Sequence, residues 1–90
     1  MAKNIKKNGS ERVAWNIRRI RVDKGLSQEK LAIDSGVDRS YVSRLERGLE
    51  NPTVAMLDRM AKALDVTVNE LLTVPNGPKP KPLPSGRRPS

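Results

Sequence analysis

The twenty-residue stretch from Gln28 to Arg47, QEKLAIDSGVDRSYVSRLER, constrains this chain more than any other part of it. Its apolar spacing predicts two short helices joined by a tight turn at Ser35-Gly36-Val37. Leu31 and Ala32 fall on the inward side of the first helix, Val42 and Leu45 on that of the second. Gly36 stands where the chain turns sharply, which often needs a positive φ that glycine adopts cheaply. Ala32 is small where the two helices approach most closely. The outward side of the second helix keeps Arg39, Ser40, Ser43 and Arg44, a face of hydrogen-bond donors.

Three more helices are predicted around this pair, which makes the fold class all-α. The first runs from about Glu11 to Lys24, with Ser10 as its N-cap and Val13, Ile17 and Ile20 inward. Helix 2 begins after Ser27, a good cap, with Glu29 favourable to the dipole. Helix 3 begins after Asp38, another cap, and ends at Gly48. Helix 4 follows Pro52-Thr53 and buries Val54, Leu57, Met60, Ala61 and Leu64. Helix 5 begins at Thr67, where Thr67 and Glu70 have capping-box spacing, and Val68, Leu71 and Leu72 form its apolar face. No alternating strand pattern and no internal repeat is present.

Charge divides the chain as clearly as hydrophobicity does. Net charge is +8, and seven of the eighteen basic residues lie at the two ends. Residues 1–9 hold Lys3, Lys6 and Lys7 without an acid, and read as a flexible basic arm. Residues 74–90 hold Lys79, Lys81, Arg87 and Arg88, also without an acid, and six of the seven prolines. That tail is expected to be disordered or locally polyproline II. Residues 10–73 balance eleven basic side chains against ten acidic ones. A domain so nearly neutral must place its positive charge on one face to hold phosphate. The ends can add a sequence-independent, salt-sensitive attraction.

Composition argues against most other chemistries. The chain has no cysteine and no histidine, which removes disulfides, thiolate metal sites and the commonest general base. No metal-ligand cluster, phosphate-binding glycine loop or cofactor motif is visible. An enzyme is not expected, and neither is a small-molecule ligand, because no sensing domain follows residue 73. No apolar run is long enough to span a bilayer, and no signal-peptide core follows the first lysines, so a cytoplasmic protein is expected.

A donor-rich second helix set steeply against the first is the geometry that enters the major groove of DNA. The residues around it carry a closer likeness. They are Arg21, Lys24-Gly25-Leu26-Ser27-Gln28, Leu31-Ala32, Gly36-Val37, Ser43-Arg44-Leu45-Glu46-Arg47-Gly48, Asn51-Pro52-Thr53, Leu57, Ala61, Leu64 and Leu71-Leu72. With these the chain resembles the Cro/Xre-type, or lambda-repressor-like, helix-turn-helix family over residues 10–73. The resemblance implies a compact five-helix DNA-binding domain with the helix-turn-helix at helices 2 and 3.

Candidate site residues follow from that placement. Arg39, Ser40, Ser43 and Arg44 are candidate base contacts, Arg39 favoured and Arg44 close behind. Arginine can grip O6 and N7 of guanine with two hydrogen bonds. Gln28, at the start of helix 2, is a candidate phosphate contact, a role the resemblance also implies. Tyr41, Arg47 and Asn51 are further phosphate candidates, the last two in a segment that in the related family follows the DNA backbone. Glu50 keeps that segment from being uniformly cationic. The resemblance implies a structural ion pair between Arg21 and Glu46. Trp15 departs from the pattern, pointing nearly opposite Val13, Ile17 and Ile20, and is expected to be a partly exposed aromatic.

The function expected is sequence-specific binding of double-stranded DNA by a transcriptional regulator, a repressor or autoregulator of bacterial or phage type. A homodimer on a pseudo-palindromic operator is expected, with Val68 and Leu72 as its surface, because one small module discriminates poorly. Two alternatives stand beside it. One is a controller protein of a restriction–modification system, with the same biochemistry. The other is an antitoxin-like module that binds a protein partner.

Overall fold

Ser27, Asp38, Thr53 and Thr67 each stand one residue before a helix, and each has extended backbone angles. The computed structural model describes residues 9–75. The helices are α1 (Gly9–Asp23), α2 (Gln28–Ser35), α3 (Arg39–Glu46), α4 (Val54–Leu64) and α5 (Val68–Leu72). The expectations for the basic arm (1–9) and the proline-rich tail (74–90) fall outside the described residues, except that Gly9 belongs to α1 and Val74 and Pro75 follow α5 without helical structure.

Two of the four predicted caps form, at Ser27 and Thr67, and Thr53 adds a cap that was not predicted. Ser27 accepts from the Lys30 amide, and Thr53 from the Met56 amide. Thr67 and Glu70 make the reciprocal capping box. Asp38 holds the cap position but makes no side-chain cap bond. Ser10 is not a cap either. Helix α1 begins one residue earlier, at Gly9, and the Ser10 hydroxyl instead donates to Asn51 Oδ1 at 2.8 Å. A partner forty-one residues away took the group that local reading assigned to its own helix. Helix α1 also ends at Asp23, and α3 at Glu46, both short of the expected limits.

The ends of α2 and α4 share one construction. Gly36 has φ +75°, its amide bonds Ile33 O, and the Val37 amide bonds Ala32 O. Two carbonyls that the helix leaves open are satisfied in this way. Asp65 closes α4 by the same pair of bonds at φ 60°, a position sequence reasoning did not single out.

The core is the set of inward faces the spacing predicts. Ile17, Leu31, Val42, Leu45, Met60, Leu64 and Leu71 are at most 1% exposed. Helix α1 packs on α3, α4 and α5, α2 on α3 and α4, and α4 on α5. Val54 is a correction: it lies at the first position of α4 and is 76% exposed. Its place at the helix start carries it past the edge of the core that Leu57 and Met60 reach. Trp15 is half-buried. Leu72 turns outward at the end of α5, beside a fully buried Leu71.

Two polar side chains, Asn16 buried and Arg59 exposed, hold elements together. Asn16, 1% exposed, donates to Leu71 O at 2.9 Å and Thr73 O at 2.8 Å, tying α1 to the end of α5. Arg59 donates to Ser35 O and Gly36 O, bracing the turn between α2 and α3 from α4. Neither was singled out from sequence, because each acts on backbone carbonyls more than twenty residues away.

Candidate nucleic-acid interface

Helix α3 separates its two faces sharply. Val42 and Leu45 are buried against the other helices, while Arg39, Ser40 and Arg44 are exposed and Ser43 is half-buried. These four lie on one helix of eight residues, within six positions. Alternation at helical spacing explains the separation: positions three apart turn inward together, and the residues between them turn out.

What holds α3 at its angle is the turn before it and an ion pair behind it. The Arg21 Nε donates to Glu46 Oε2 at 2.5 Å, and its Nη2 to Oε1 at 3.0 Å. The two side chains are 9% and 3% exposed. Arg21 Nη1 also donates to Leu26 O at 2.7 Å, so one guanidinium joins α1, the loop before α2 and the end of α3. The expected ion pair is therefore present, and the charges are paired as burial demands.

Gln28 is drawn into the same network. Its Nε2 donates to Glu46 Oε1 at 3.1 Å, and the residue is half-buried. Its amide therefore helps to satisfy a buried carboxylate. Its backbone still opens α2.

A second cluster lies at the far end of α3. Arg44 Nε donates to Glu50 Oε2 at 2.7 Å, in a pair exposed to solvent on the arginine side. Tyr41 is half-buried nearby, and its hydroxyl holds its proton above the ordinary value of 10.0. Burial is the larger cause, with the Glu50 charge adding to it and Arg44 opposing. The hydroxyl is thus a donor at neutral pH. Arg47 and Asn51 are both exposed, and Asn51 is held by Ser10.

The structure therefore brings Arg39, Ser40, Ser43 and Arg44 onto one helix, with Tyr41, Arg47 and Asn51 on that helix or in the loop leaving it. Sequence reasoning missed the partners of these residues. Oppositely charged residues flanking Gly48 were a signal for the Arg44–Glu50 pair. Nothing local foretold Ser10 with Asn51. Among the described residues no acid cluster could hold a metal ion, and no helix is long and apolar enough to cross a membrane.

The family described as helix-turn-helix matches residues 17–71, from the middle of α1 into α5. The chain belongs to the Cro/Xre-type helix-turn-helix family. It is 46% identical over 63 residues to a hypothetical transcription factor of Neisseria meningitidis, covering 70% of this chain and 59% of that protein. It is 48% identical over 61 residues to the HTH-type transcriptional regulator y4dJ of Sinorhizobium fredii, covering 68% of this chain and 79% of that one. The chain thus spans less than two thirds of the Neisseria relative and more than two thirds of the Sinorhizobium one. Among solved structures, the transcription factor NHTF from Neisseria superposes with a TM-score of 0.74 at 41% identity, over 78% of this chain and 80% of that chain. The restriction–modification controller protein C.Esp1396I, solved as a tetramer with its natural 35 base-pair operator, superposes with a TM-score of 0.63. It is 35% identical and is matched over 71% of this chain and 95% of that chain.

Proposed function

We propose that this chain is a transcriptional regulator that binds a pseudo-palindromic operator in double-stranded DNA as a homodimer, α3 lying in the major groove. The observation that carries this reading is the exposed donor face of α3, set on a helix whose other face is buried. Arg39 and Arg44 are assigned to base edges, with Ser40 and Ser43 beside them. Gln28, Tyr41, Arg47 and Asn51 are assigned to phosphates, which set register without carrying sequence. Gln28 serves through the amides at the start of α2, since its side chain donates to Glu46. Residues 10–73 do the reading, and the basic ends add a salt-sensitive attraction.

The dimer surface is assigned to the end of α5. Leu72 is 39% exposed and Val74 48% exposed, an apolar pair at the outer edge of the fold. Val68 contributes less, because it already packs against the core. The compartment is that of the DNA, a bacterial cytoplasm, and the activity is binding without catalysis.

The likeness to C.Esp1396I favours one narrower reading, a restriction–modification controller acting through the same contacts. Methylation interference on a bound duplex tests the docking. Guanine N7 lies in the major groove. Methylation there should block binding at two clusters about one helical turn, ~34 Å, apart. Interference by adenine N3 methylation alone, in the minor groove, would place the contact elsewhere.

A further inference from the structure

Arg44 is held at one edge only. Its Nε donates to Glu50 at 2.7 Å, while neither terminal nitrogen donates to any oxygen among the described residues. The guanidinium is planar, so a single bond at Nε, with the aliphatic stem fixed by α3, restricts the direction of the Nη1–Nη2 edge. That edge is the fork that grips guanine O6 and N7.

The carboxylate is itself fixed by the backbone. The Gly48 amide bonds Leu45 O, and the Leu49 amide bonds Arg44 O, with Gly48 at φ +76°. This closure folds the chain back on the residue whose side chain is held, and Glu50 is the next residue. Glu50 is also the less exposed member of the pair, at 26% against 44% for Arg44. The Glu50 charge reaches Tyr41 as well, so all three groups share one small region.

We propose that Glu50 is a positioning residue for sequence reading: it anchors Arg44 at Nε and presents the terminal nitrogens of that side chain to the base edge. The inference rests on the assignment of α3 as the base-reading helix. It gives an acid in a DNA-facing loop a task beyond solvation. A carboxylate beside Arg44 also opposes phosphate, so it lowers binding to any sequence while the anchored fork favours one.

The experiment uses the full chain and two duplexes of equal length, one enriched from random DNA by the wild-type protein and one scrambled. Glu50→Ala should lower the ratio of the two affinities by about five-fold or more, the scale of one weakened base contact. Affinity for the scrambled duplex should hold or rise, and the slope of log affinity against log salt should steepen by about one. Glu50→Gln retains an oxygen acceptor for Nε and should recover part of the lost ratio. In an Arg44→Ala background, Glu50→Ala should change the ratio no further. If Glu50→Ala raises both affinities equally, Glu50 is only an opposing charge and the inference is wrong. If Arg44→Ala itself leaves the ratio unchanged, the base-reading assignment of Arg44 fails and the inference falls with it. If Arg44→Ala lowers the ratio and Glu50→Ala does not, the role of Glu50 alone is overturned.

Discussion

The Arg21 guanidinium donates to both carboxylate oxygens of Glu46, at 2.5 and 3.0 Å, and so joins the end of α1 to the end of α3. The pair is buried, its side chains 9% and 3% exposed, so little solvent reaches its charges. Gln28 and Leu26 O satisfy further positions on the same two groups. Removing one partner leaves the other charge in a dry site.

Glu46→Gln keeps the shape and removes the charge, leaving Arg21 uncompensated. Stability should fall by about 3–5 kcal/mol. Urea unfolding followed by circular dichroism measures it. A midpoint equal to that of the wild type would mean the pair contributes nothing.

Gly36→Ala tests the turn that sets α3 against α2. Gly36 lies at φ +75°, and an added Cβ would stand 2.8 Å from Arg59 Nη2. The left-handed conformation alone costs a residue with a Cβ about 1–2 kcal/mol. Arg59 also has to shift and loosen its bonds to Ser35 O and Gly36 O. Thermal melting should therefore show a lower midpoint, and DNA affinity should drop more than stability alone accounts for. A wild-type melting curve would show that the turn relaxes freely.

Tyr41 is the only tyrosine, so its ionisation can be followed by ultraviolet absorbance without interference from another. Its hydroxyl should titrate above 10.0, because burial and the Glu50 charge both disfavour tyrosinate. Glu50→Gln should bring the titration down, though not below the ordinary value, since burial remains. The unfolded chain loses this proton first, so stability declines as pH rises past 10 and before Tyr41 itself ionises. Titration at or below 10.0 in the wild type would contradict this.

The two-helix motif, five helices and most of the core were legible in the sequence. Apolar spacing at 3.6 residues carries that information directly, and so do the caps at Ser27 and Thr67. The errors share a cause. Ser10 was assigned to its own helix, yet it bonds Asn51 across the fold. Val54 was counted as core from its place in the pattern, but a first-turn position overhangs the edge. Asn16, Arg59 and Glu50 act on groups that only tertiary packing brings near. Of the site, the residue types and their common face could be read from sequence. The hold of Glu50 on Arg44, and of Glu46 on Gln28, could not.

The central claim is that α3 reads bases and that two copies do so together. Selection of binding sites from random duplex DNA by the full chain, at near-physiological salt, tests it most directly. The account predicts a pseudo-palindrome with half-sites about one helical turn, ~34 Å, apart. It also predicts that Arg39→Ala changes the preferred base at one position of each half-site while leaving the rest of the pattern intact. An unenriched pool, bound only weakly and in a salt-sensitive way, would contradict the claim and assign the binding to the basic ends.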